Sequence, residues 1–165
     1  MSEANSRNYE WGAPELLAEG SRGLTGLQFM QKIVDGSLPQ ASMSATLRFR
    51  LVAVAEGFAR FVGLPSVEQS NPMGGVHGGW ASTLLDSAMG CAVLSMLDEK
   101  SLFTTLQLSV YLTRPINAQT GLVQCEGKLL QLGKRVALAE GKVTCQRGAL
   151  LAHASTSCLI IPRPD

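Results

Sequence analysis

Asp86 is the one charged residue in an apolar run from Gly78 to Leu97. An ionised carboxylate in apolar surroundings is costly unless it is paired or its pKa moves. Upstream stand Asn71, five intervening residues, then His77-Gly78-Gly79, and six more residues lead to Asp86. Gly78 and Gly79 have no side chain to keep a ligand from the backbone. If a helix starts there, its first N–H groups lack internal partners and can donate to a developing oxyanion. Asn71 and His77 add donors or acceptors beside them. Asp86 is suited to act as base or nucleophile on a carbonyl compound. Each residue also has a structural reading. The glycines would allow tight helix–sheet packing, and Asp86 would hydrogen-bond Thr83 or a strand backbone. His77 would cap the helix, and Asn71 before Pro72 would start a turn. Their coincidence at one helix entrance favours chemistry.

The elements that must position these groups follow from hydrophobic periodicity. Leu27, Met30 and Val34 fall at helical spacing with Thr25 as a cap, and Asp35-Gly36 and Pro39 end that helix. Met43, Ala45, Leu47, Phe49 and Leu51 alternate with polar residues and predict a half-buried strand. Glu56-Gly57 turns into a second strand, Phe58 to Leu64. The glycine loop and a buried helix over about 78–97 come next. Four strands then follow: Thr105 to Leu112, ending at Arg114-Pro115; Gly121 to Leu130; a third after the Gly133-Lys134 turn; and Leu150 to Ile161. One-sided strands joined by short turns imply an antiparallel sheet with one wet face. Its dry face needs a cover, and the only long apolar element is the central helix. The expected class is α+β, a curved antiparallel sheet wrapped around that helix. Residues 1–23 read as an irregular leader with one short helix after Pro14, and 24–165 as a single domain.

Composition removes several functions. The chain has 165 residues, is 45% hydrophobic and 16% charged, and carries a net charge of +1. That balance gives no electrostatic case for nucleic acid or an anionic membrane. The 78–97 run is about as long as a membrane span, roughly 30 Å, but it carries an acid and precedes amphipathic strands. The four cysteines, Cys91, Cys125, Cys145 and Cys158, form no Cys-x-x-Cys pair. With His77 and His153 the only histidines, no zinc cage is expected. A polar start and unpaired cysteines point to a reduced, cytoplasmic setting. There is no Gly-x-Ser-x-Gly elbow, and Gly127 to Gly133-Lys134 has the wrong spacing for a phosphate loop.

The Asn71…His77-Gly78-Gly79…Asp86 pattern resembles the signature of the hotdog-fold acyl-CoA thioesterases of the phenylacetate-degradation type. The strand from Thr105 to Arg114-Pro115 is similar to that family's next segment, and the likeness spans about residues 24 to 161. It implies Asp86 as general base or nucleophile and the Gly78 amide as the group polarising the thioester carbonyl. It further implies Asn71 as a water- or substrate-placing group, with His77 and Gly79 beside it. A strand hydroxyl, Thr105 or its neighbour Thr104, would assist. Gly133-Lys134-Arg135 is similar to the basic loop near the pantetheine and phosphate arm of coenzyme A. The substrate would be an acyl-CoA thioester, with no further cofactor and no metal. Trp80, Leu84, Met73 and Leu27 or Met30 would line an apolar pocket for an aryl or medium-chain acyl group.

Geometry adds a consequence of its own. Gly78 and Asp86 are eight positions apart, hence about 12 Å along one helix and on different faces. A thioester carbon must lie about 3 Å from both the oxyanion donor and the attacking group. Two antiparallel helices across a two-fold axis would supply both, which predicts a homodimer, with a dimer of dimers beyond it. Two other functions fit the pattern less well: an acyl-thioester hydratase or dehydratase using His77, and a non-catalytic acyl-CoA-binding module.

Overall fold

The computed structural model describes residues 5–164. In chain order these are α1 (Pro14–Gly20), α2 (Gly26–Val34), α3 (Ser42–Leu47), β1 (Phe49–Ala55), β2 (Phe58–Gly63), α4 (Gly78–Leu94), β3 (Ser101–Leu112), β4 (Val123–Leu132), β5 (Val136–Cys145) and β6 (Leu150–Pro162). The six strands form one antiparallel sheet in the order β1-β2-β4-β5-β6-β3. All six touch α4, so the sheet curves around it as the alternation of wet and dry residues requires. Leu84, Leu85, Ala88, Met89, Ala92 and Val93 of α4 are fully buried against Val123, Cys125, Ala139, Val143, Ala154 and Cys158 of the sheet. The approach is close: a β-carbon on Gly127 of β4 would collide with the Ala88 carbonyl. Glycine there lets helix backbone and strand backbone meet.

α2 begins at the expected cap. The Thr25 side chain accepts from the Gln28 N–H, and Gln28 returns a bond to the Thr25 N–H. The next segment departs from expectation. Met43 to Leu47 is helical, and the strand starts only at Phe49. Ser42, Ser44 and Thr46 favour local backbone bonding over a ladder, and the Thr46 hydroxyl donates to the Ser42 carbonyl. Arg48 then caps this helix in the left-handed region, φ 58°, and redirects the chain into β1. α4 is also shorter than the apolar run, stopping at Leu94, with Ser95 to Leu97 forming a turn whose Leu97 carbonyl accepts from Gly26. No helix among the described residues is long and apolar enough to cross a membrane.

β3 also differs in register. By strict alternation from Thr105, Leu106, Leu108, Val110 and Leu112 would share one face. A bulge between Thr105 and Gln107 makes Leu106 the extra residue, so it is exposed, and Leu112 reaches only the start of the helix, at Gly78, and stays largely exposed. β4 has a similar irregularity at Leu130. The leader is held to the body near both of its ends. Arg7 pairs with Glu68 at 2.6 Å and also donates to the Thr46 carbonyl, and Arg163 donates to Ser21 Oγ at 2.8 Å.

Candidate active site

The glycine loop is tied down before the helix begins. Asn71 donates its N–H to Gly75 O (2.7 Å) and accepts from the Gly74 N–H, while its Oδ1 accepts from Met73 (2.9 Å). Val76 donates to Ile116 O, and His77 to Gln69 O, both at 2.8 Å. These bonds aim the start of α4 into a cavity of about 300 Å³ lined by Asn71, His77, Gly78, Ala81, Leu112 and Arg114.

The first helical amides differ in what they bond. His77 is the N-cap residue; its Nδ1 accepts from Gly79 at 2.9 Å, and its carbonyl accepts from Trp80 at 3.0 Å. The Gly78 N–H has no partner among the described residues and opens to the cavity. A helix amide left open at the positive end of the dipole is an anion donor. Leu112 presses close, since a β-carbon on Gly78 would lie 2.5 Å from Leu112 Cδ1. The Gly79 amide, expected to help bind substrate, is already committed to the cap.

Asp86 lies two turns further along and does not line that cavity. It is half-buried, on the stripe of α4 that the sheet leaves open. Its Oδ1 accepts from Thr105 Oγ1 at 3.0 Å, and no cation pairs with it among the described residues. Thr105 rather than Thr104 faces the acid: Thr105 points inward, while Thr104 is exposed. The unneutralised charge reaches two thiols. Burial, then the charge of Asp86, pushes Cys91 up to about 12. Burial raises Cys158 as well, against hydrogen bonds with Thr156 and Thr105, and Asp86 adds to the rise.

The remaining residues fall elsewhere. Trp80 is a core residue in this chain, 3% exposed, its Nε1 donating to Leu47 O at 2.7 Å. Trp80 nonetheless borders a surface hollow with His77, Gly79 and Thr83, whereas Leu84 and Met30 are sealed in the core, which corrects the expected pocket wall at those two residues. Met73 is 90% exposed and forms no wall within one chain. Gly133, Lys134 and Arg135 form the β4–β5 turn, where Gly133 donates to Val136 O and Arg135 O accepts from Ile160. The register runs from Thr105 to Cys158, Ala137 and Leu132. The turn therefore lies level with Thr105, roughly 14 Å away across three strand spacings. Sequence reading did not single out Arg114 and Ile116. Arg114-Pro115 marked a strand end there, yet Arg114 lines the cavity and Ile116 anchors the loop.

The model for the Thioesterase superfamily matches residues 73–152, the span that holds Gly78, Asp86 and Thr105. No curated protein matches the chain. Among solved structures, the chain is similar to a phenylacetic acid degradation-related protein of Ralstonia eutropha at 27% identity, covering 78% of this chain and 97% of that one, TM-score 0.70. It is similar to the PaaI protein of the E. coli phenylacetic acid degradation operon at 17% identity, covering 83% and 94%, TM-score 0.71. It also resembles a Streptococcus mutans protein bound to acetyl CoA at 21% identity, covering 72% and 92%, TM-score 0.64. Residues 73–152 thus match the Thioesterase superfamily, and the fold of the whole is that of the hotdog proteins. The class of protein this match points to is that of the thioester hydrolases.

Proposed function

We propose that the protein hydrolyses an aryl- or medium-chain acyl-CoA thioester to the free acid and CoA. The observation that carries this reading is the pairing of an unsatisfied Gly78 amide at a helix start with an unpaired Asp86 carboxylate held by Thr105. The thioester carbonyl oxygen accepts from Gly78 N–H, which stabilises the oxyanion as the tetrahedral intermediate forms. Asp86 takes a proton from the attacking water, and the tetrahedral intermediate collapses by breaking the C–S bond, the CoA thiolate leaving and taking up a proton. In the alternative, Asp86 attacks the carbonyl itself, expels the CoA thiolate and gives an anhydride that water then opens to the free acid and the restored carboxylate. Asn71 and the loop place the acyl end, and His77 fixes the helix start. Trp80 stiffens that entrance through its bond to Leu47. Lys134 and Arg135 are exposed at the level of Asp86 and suit the phosphates of a CoA arm, with Thr104, Met73 and Gly79 along its path. The reaction uses water and protein groups and needs no resident cofactor or metal.

A homodimer follows from the same reading. Asp86 and Gly78 of one chain are separated along α4, so the site pairs Gly78 of one protomer with Asp86 of its partner. Two features support this: Asp86 sits on the uncovered stripe of α4, and β3 is a 12-residue edge strand carrying exposed Leu106, Tyr111 and Leu112. Further pairing into a tetramer and a cytoplasmic location complete the proposal. His77 as hydratase base is the poorer reading, because its Nδ1 is already committed to the Gly79 amide. The test is a panel of aryl- and straight-chain acyl-CoA substrates with thiol detection. Wild type releases CoA, and Asp86→Asn loses about three orders of magnitude in kcat while staying folded. Tight acyl-CoA binding without thiol release by wild type would replace this reading with the binding-module one.

A further inference from the structure

We infer that Thr156, a buried threonine on β6, is a positioning residue for Asp86, acting through the bulge in β3; the inference rests on the reading of Asp86 given above. A bulge puts two residues of one strand opposite one of its partner and re-aims the side chains beside it. The β3 bulge falls between Thr105 and Gln107. Thr105 is its last regularly paired residue, opposite Cys158, and its hydroxyl is the one bonded to Asp86. Without the extra residue Leu106, the strand beyond Thr105 would shift by one, and its faces would exchange.

Something must hold the extra residue in place, because the ladder does not. Thr156 is 3% exposed, and its hydroxyl donates to the Gln107 carbonyl at 2.8 Å, on the far shoulder of the bulge. This is a side-chain bond to backbone on a row whose other members, Leu108, Ala139 and Leu129, are all apolar. Thr156 pairs with Leu108 on one side and Ala139 on the other. Its hydroxyl also lies 4.0 Å from Cys158 Sγ, the thiol opposite Thr105. A buried hydroxyl needs a partner, and here the partner is the distorted backbone itself. The line of contact runs from Thr156 Oγ1 to Gln107 O, through the bulge to Thr105, and from Thr105 Oγ1 to Asp86 Oδ1. Thr156 touches neither the Gly78 cavity nor Asp86, so its influence passes through the fixed direction of Thr105.

The test compares Thr156→Val, which keeps the shape and removes the donor, with Thr156→Ser, which keeps the donor, each alone and with Thr105→Val. The expected result is a roughly ten-fold fall in kcat for Thr156→Val with KM within about two-fold, and near-complete rescue by Thr156→Ser. In the Thr105→Val background the Thr156→Val change adds little, because both act on one bond. A carbon-13 spectrum of the Asp86 carboxyl gives a readout without turnover. It moves in Thr156→Val and Thr105→Val alike, and stays in place in Thr156→Ser. Folded Thr156→Val with wild-type kcat and an unmoved Asp86 resonance would overturn the inference, as would full additivity with Thr105→Val. If Asp86→Asn is fully active, the catalytic reading falls by itself, and the resonance still decides whether Thr156 orients Asp86.

Discussion

Asp86 and Glu126 are both partly buried acids on the inner elements of this protein, and they are treated in opposite ways. Glu126 on β4 receives Arg60 at 2.8 Å and Lys142 at 3.3 Å, its neighbours across two strand pairs. Burial alone would push its carboxyl up, but the hydrogen bonds and charges of Arg60 and Lys142 outweigh this and hold it below the usual range. Asp86 has one neutral hydroxyl and no cation among the described residues, and its field is felt by the thiols of Cys91 and Cys158 instead. A carboxylate with its charge answered is part of the scaffold. One left without a cation, half-buried and held only by a neutral hydroxyl of β3, is available to something that arrives later.

The contrast is broken most severely by exchanging each acid for its amide. Asp86→Asn removes the base and lowers kcat about a thousand-fold with little loss of stability, measured by CoA release and thermal melting. Glu126→Gln does the reverse: kcat stays within about two-fold, and stability at neutral pH falls by about 1 kcal/mol, since an ion-pair network at a partly exposed site is worth that order. The pH dependence follows from the depressed carboxyl of Glu126. Its contribution is present above the unfolded-state value and is lost as pH falls through the lower native one, so the two proteins converge in acid. Equal losses of activity in both variants would erase the distinction.

The thiols sharpen the comparison by a smaller effect. Cys145, at the β5–β6 turn, is held below the usual thiol range by the backbone N–H groups of Arg147 and then Ala149. Cys91 is pushed up to about 12 by burial and then Asp86, and Cys125 is raised further by burial and Glu126. Under native conditions at pH 8, a thiol reagent labels Cys145 first, and Cys91 and Cys125 react only on unfolding, as peptide mapping will read. Early labelling of Cys91 would mean that the stripe around Asp86 is more open than the side-chain packing indicates.

The order strand, strand, helix, four strands was legible because each element has a clean period and a marked end. Thr25 with Gln28 announced α2, and Glu56-Gly57 announced the first hairpin, where Gly57 adopts φ +66°. The stretch from Met43 to Leu47 misled because its alternation of apolar and polar residues continues unbroken into the true strand at Phe49. Its fate is set by tertiary partners, the Leu47 carbonyl accepting from Trp80 and the Gln40 side chain bonding Leu51. The bulges at Leu106 and Leu130 carry no local marker, since neither is glycine and both sit in runs that read as regular strand. Asp86, Gly78 and Thr105 were visible as types at a spacing. That the Gly79 amide is capped while the Gly78 amide is open could be seen only once His77 had a position.

The central claim is that each site draws Gly78 from one protomer and Asp86 from its partner, and complementation tests it directly. Gly78→Pro removes the N–H at the first helical position, where proline is tolerated, and displaces only the flexible end of Leu112. Gly78→Pro and Asp86→Asn homodimers, each separately tagged, are both expected to be nearly inactive. Co-expressed and purified through both tags, the mixed dimer holds one site with an intact Gly78 and an intact Asp86, and it should recover about half the wild-type activity per dimer. A mixed dimer as inactive as its parents would place both groups of each site on one chain and contradict the account.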